Sequence, residues 1–218
     1  MVTTRSLLLF VAASIPLLLF PGPAVAFVLA TTLRSGRRSG LGAVAGVETG
    51  YLVHVLGAVV GLSAVVAASA EAFTAVKVLG AAWLVWLAVQ SWRSSRRDGD
   101  TSLAELRPAG APATRPRASF SRGLLVGALN PKTAVFYLAF LPQFVSDDAG
   151  PAWVQLLVFG LLFIALAACT DSCWVLAGGS LRRWLPAVRM KVVDRFSAGA
   201  FGVLAAVLLS ARRASAAS

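Results

Sequence analysis

Hydrophobic positions gather into six long runs along the chain, at about 6–31, 41–67, 73–92, 122–145, 152–178 and 196–211, and polar residues collect between them. Most of the runs reach the roughly 17 to 25 residues that a helix needs to cross a hydrocarbon core. The pattern predicts an all-α membrane protein with six transmembrane helices. The last run is the shortest, sixteen residues between Arg195 and Arg212, and needs snorkelling ends or a locally thin bilayer. Composition points the same way: 218 residues, 58% hydrophobic and 13% charged, with mean hydropathy +0.79, outside the balance of soluble domains.

One stretch breaks the pattern. Residues 93–121 are rich in Arg, Pro, Ser and Ala, with hardly any large apolar side chain after Leu106, and read as a flexible basic linker. It separates a first half, 1–92, from a second, 122–218, each with three spans. An odd number of spans per half makes the second half enter from the opposite face, so the two three-helix repeats are inverted.

Charge sets the orientation. The formal net charge is +11, and fifteen of the twenty basic residues follow the first, third and fifth spans, in alternate loops. By the positive-inside rule those loops are cytoplasmic and both termini extracytoplasmic. The basic excess is thereby explained without a nucleic-acid partner. Arg5, an apolar core and Ala24-Val25-Ala26 also resemble a signal peptide with its cleavage site. Pro21-Gly22-Pro23 between core and cut, and the five helices left behind, argue for a retained span.

The first and fourth spans are interrupted at corresponding places, by Pro21-Gly22-Pro23 in one and Asn130-Pro131 in the other. Interior proline costs roughly 3 kcal/mol in a helix. It fits without penalty at a helix's first turn, where Gly or Asn can cap it. Pro23 and Pro131 are therefore expected to start half-helices at depth, with their N-termini converging. Free N–H groups there suit a carboxylate, and paired breaks in two halves mark a transporter binding site. Counted at 1.5 Å per residue from the nearest cytoplasmic arginine, Pro23, Asn130, Glu48 and Asp171 all lie roughly 12 to 17 Å deep, near mid-bilayer.

Ionisable groups at that depth mark a transport path or proton relay. Glu48 and Asp171 are candidates to bind a substrate ammonium or to carry a proton, and equally to pair internally with Lys132 or His54. Lys132 follows the second break and suits either the substrate carboxylate or a buried acid. His54, the single histidine, lies six residues from Glu48 on another helix face and reads first as a packing or hydrogen-bonding residue, with proton coupling as the alternative. Cys169 and Cys173 share one span and read as small packing residues. Glycines at 42, 46, 50, 57 and 61 form a ridge for close helix approach.

Several segments together resemble one family: "PGP" in the first span, "GRRSGLGAVAGVETGYLVH" at 36–54, "VLGAAWLVWLAVQSWR" at 78–93, "NPKTAVFYLAFLPQF" at 130–144, then Asp171 and "FSAGAFGVLAAVLLSARR" at 196–213. The pattern is similar to the LysE/RhtB amino-acid exporters, most of all to the homoserine and threonine branch. The resemblance implies a bacterial inner-membrane efflux protein with six spans, driven by the proton gradient, with no enzymatic step and no cofactor. Its substrate would be a small amino acid held by Pro21, Gly22, Pro23, Glu48, Asn130, Pro131, Lys132 and Asp171. That branch often has glutamine where Glu48 stands. Export of a metal cation through the two carboxylates is the alternative, although the cluster of acids or histidines such a site wants is missing. An intramembrane enzyme lacks its constellation, since Ser172 beside Asp171 does not face it. A homo-oligomer is compatible with the sequence, because lipid-facing and partner-facing helix surfaces are equally apolar.

Overall fold

A computed structural model of the chain describes residues 2–19, 22–62, 70–97 and 114–181, and beyond them 195, 198, 199, 202, 203, 205 and 206. Most of the expected linker and sixth span lie outside the described residues. Among the described residues every regular element is helical: α1 Thr4–Leu19, α2 Pro23–Gly57, α3 Ala70–Arg97, α4 Pro116–Ala128, α5 Pro131–Val135 and α6 Ala152–Leu181. A π-helical turn, Ala58–Leu62, continues α2. Another, Phe136–Phe140, and a 3-10 turn, Leu141–Phe144, continue α5. Pro23–Gly61 and Ala152–Gly178 are long and apolar enough to cross a bilayer, and Pro116–Ala128 with Pro131–Phe144, bent by 44°, makes a third candidate.

α2 does not run straight. Gly36 has φ 81° and ψ 172°, a backbone region open essentially to glycine alone. In a straight helix Thr32 and Gly40 would stand about 12 Å apart along the axis. Instead a Cβ on Gly40 would lie 3.1 Å from the Cβ of Thr32. The chain doubles back at Gly36, and α2 is a helical hairpin with a short arm, 23–35, and a long arm, 37–57. The end of α6 closes on this turn: the Arg37 guanidinium donates to Leu176 O at 3.0 Å, and Gly178 lies against Thr32.

Helix reaches into both ends of the segment expected to be linker, since α3 runs to Arg97 and α4 starts at Pro116. Proline at the first helical position loses no hydrogen bond. Hydroxyls then hold the entry to α4 on the α2 hairpin. Thr114 N–H donates to Ser35 Oγ at 2.8 Å, and Ser39 Oγ donates to Thr114 O at 2.7 Å.

The long arm of α2 meets α4 backbone to backbone. A Cβ on Gly42 would stand 2.7 Å from Pro116 O, and one on Gly46 or Gly50 would run into the main chain of Phe120, Leu124 and Ala128. From the other side, Gly123 and Gly127 press on the main chain of Ala43 and Val47. Only hydrogen side chains allow this approach. Gly57 and Gly61 have nothing within 4 Å among the described residues, so the glycine ridge becomes a seam only over 42–50.

α6 buries one stripe, Leu156, Phe159, Phe163, Ala167, Asp171 and Val175, at the three- and four-residue spacing of a helix face. Phe10 of α1 packs on Phe159 and Phe144 at centroid distances of 5.0 and 5.1 Å, and Phe136 stacks on Phe163 at 4.2 Å. Cys169 and Cys173 are exposed. The expectation that they pack inside is corrected: Cys169 is two residues from Ala167, about 200° round the helix, and so points away from the core.

The seam makes a prediction. Gly46→Ala lowers stability in detergent by about 1 to 3 kcal/mol through overpacking against backbone, whereas Gly61→Ala changes it by less than about 0.5 kcal/mol. Thermal unfolding of the two purified variants checks this, and equal shifts count against the seam.

Candidate functional site

Each proline of the two Pro-containing motifs that is described starts a helix. Gly22 is the extended N-cap of α2 (φ −96°, ψ −169°) with Pro23 next. Asn130 is the N-cap of α5, its Oδ1 accepting from Lys132 N–H at 3.1 Å, with Pro131 next. Asparagine supplies the acceptor that the first helical N–H groups lack, and proline pre-sets φ. Pro21 lies outside the described residues.

The two helix starts are neighbours. A Cβ on Gly22 would lie 3.2 Å from Lys132 Cδ. Lys132 Nζ donates to Leu17 O at 2.6 Å. Leu17 belongs to the last turn of α1, where carbonyls have no helical partner and a cation is favoured. A side chain from one interruption thus caps the helix that ends at the other.

Around this junction is a cavity of about 20 Å³. Its polar wall is Gly22, Tyr51, Asn130, Lys132, Thr133 and Asp171, and its apolar wall is Leu17, Leu18, Ala24, Val25, Phe163 and Ala167. Asn130 Nδ2 donates to Tyr51 Oη at 3.3 Å, tying the start of α5 to the long arm of α2. Asp171 is 4% exposed. The space suits about one water molecule. An amino acid needs the walls to part.

The cavity gathers Gly22, Asn130, Lys132 and Asp171 of the expected binding residues, and leaves Pro23, Glu48 and Pro131 outside its lining. Pro23 and Pro131 are exposed. Their part is to set the backbone where helices begin, and their rings have no donor to offer a ligand. Glu48 is buried on the long arm of α2, 7% exposed, and neither carboxylate oxygen has a hydrogen-bond partner among the described residues. It feels the charge of Asp171 without lining the cavity. His54 is half-buried, its Nε2 3.1 Å from Gly127 O across the glycine seam and its ring 6.1 Å from that of Tyr137.

Tyr51, Thr133, Phe163 and Ala167 were not singled out from sequence. A signal was there: Tyr51 lies one turn past Glu48, Thr133 two residues past Pro131, and Ala167 and Phe163 one and two turns before Asp171. Among the described residues no three His, Cys, Asp or Glu side chains gather to hold a metal.

An all-helical chain with membrane-crossing helices and a small polar cavity where two helices begin belongs to the class of membrane transporters. The profile of the LysE type translocator family matches residues 15–212, and the chain belongs to that family. It is 29% identical to the homoserine/homoserine lactone efflux protein of Salmonella typhimurium, over 94% of this chain and 96% of the relative. It is 29% identical to the leucine efflux protein of Klebsiella pneumoniae, over 82% and 81%. It is also 33% identical to a membrane protein of Vibrio cholerae, over 77% and 78%. No solved structure matches the chain.

The cap at the cavity is testable. Asn130→Ala removes both the N-cap acceptor and the donor to Tyr51, at a cost of about 1 to 2 kcal/mol. Asn130→Asp keeps the acceptor and recovers most of the loss. Thermal unfolding of both variants in detergent measures it, and an unchanged Asn130→Ala protein would show that the cap carries no stability.

Proposed function

We propose that this translocator exports small zwitterionic amino acids, or close derivatives, across the bacterial inner membrane in exchange for protons. The observation that carries the reading is Asp171 and Lys132 on the wall of one buried cavity. An acid and a base at that depth match the ammonium and carboxylate of such a cargo, and the start of α2, which no side chain caps, adds to the anionic end. The names of the Salmonella and Klebsiella relatives, homoserine and leucine efflux proteins, support an amino-acid cargo.

In this reading the chain forms six spans in two inverted halves, with the basic loops inside and both termini outside. Asp171 receives the ammonium. Glu48, buried and without a hydrogen-bond partner, is the proton carrier: an unpaired carboxylate in an apolar setting is tolerated mainly in its neutral form, and it ionises only when the helices around it move. Alternating access exposes the cavity first to one face and then to the other.

Efflux of labelled threonine, homoserine, leucine and cysteine from preloaded vesicles tests the function. Expression- and gradient-dependent efflux of at least one is expected, and none from the whole panel rejects the proposal. The carboxylates divide by phenotype. Asp171→Asn lowers apparent substrate affinity at least tenfold, whereas Glu48→Gln keeps binding and abolishes the response to a pH gradient. If both variants pump normally, neither acid binds cargo or carries a proton.

A further inference from the structure

We propose that Ala167 and Phe163 are the specificity-determining residues of the cavity, and that they limit its cargo to amino acids with short side chains. The inference rests on the amino-acid export reading above and adds to it the part of the cargo that the charged groups do not touch.

The argument begins with helix geometry. Asp171, Ala167 and Phe163 follow one another at four-residue spacing on the buried stripe of α6, and all three line the cavity. Successive members are about 6 Å apart along the axis, so Phe163 stands about 12 Å from Asp171 with Ala167 halfway. The charged head of a zwitterion is drawn to the Asp171 end, where Lys132 and Asn130 also stand. Its side chain then runs along α6 towards Phe163.

What the side chain meets is unequal in size. Ala167, 1% exposed, contributes only a methyl group at the midpoint of the wall. Phe163, 2% exposed, closes the far end. Its ring is stacked on Phe136 at 4.2 Å and meets the Tyr137 ring edge-on at 5.5 Å. Phe136 is itself backed by Phe10 at 6.0 Å and Phe140 at 5.1 Å. A ring held by two aromatic neighbours does not swing aside at low cost, because close-packed cores shift only with their neighbours. The wall is therefore open at Ala167 and stopped at Phe163.

Apolar pockets discriminate by one methylene to the extent of about 10- to 200-fold. Efflux of labelled alanine, threonine, leucine and phenylalanine from vesicles is measured for the wild type, Ala167→Val and Phe163→Leu, with folded protein quantified by size-exclusion chromatography. Ala167→Val is expected to lower the leucine-to-alanine efflux ratio at least tenfold, and Phe163→Leu to raise the phenylalanine-to-alanine ratio at least tenfold. If Phe163→Leu does not fold, the Ala167→Val ratio alone decides. Ratios within twofold of wild type in folded variants overturn this inference and leave amino-acid export standing. No efflux of any amino acid by the wild type overturns both.

Discussion

The main chains of two helices touch along the seam where Gly42, Gly46 and Gly50 of α2 face Gly123 and Gly127 of α4. In lipid there is no hydrophobic drive to bring helices together, so contact area has to come from close approach, which side chains prevent. The seam ends where the cavity begins. Tyr51 follows Gly50 directly and Asn130 comes three residues after Gly127, so the registration of the two helices delivers one to the other's hydrogen-bonding distance. His54 reaches across the same contact to Gly127 O.

A second constraint follows from the solvent. Backbone groups freed by a break have no water to turn to inside a membrane and need partners within the protein. Here the Leu17 carbonyl takes the Lys132 ammonium, and the Asn130 amide oxygen takes the Lys132 N–H at the start of α5. Against this careful pairing Glu48 is an exception, with two buried oxygens unsatisfied. An unpaired acid is costly to keep in such surroundings. That cost is the physical ground for the proposal that Glu48 loses and gains a proton, while Asp171, which lines the cavity, meets the cargo.

The local features of the chain were readable without a fold. The long apolar runs and the helix starts at Pro23 and Pro131 depend only on residue types and on counting along a helix of known rise. By the same counting, Ala167 and Phe163 lie one and two turns from Asp171. Family membership was legible too, because it is carried by several short motifs at once.

Tertiary structure decided which way each helix is turned and what it faces. In a helix surrounded by lipid, apolar residues lie all round, so no polar face reveals its rotation about its own axis. Two carboxylates at the same depth therefore looked alike until Asp171 was found in the cavity lining and Glu48 outside it. Five glycines formed one ridge in sequence, but only those at 42, 46 and 50 met a partner. The cysteines turned outwards and the described prolines away from the cavity, for the same reason: sequence determines how far along a membrane helix a residue lies, and only packing against a neighbour determines the direction in which it points.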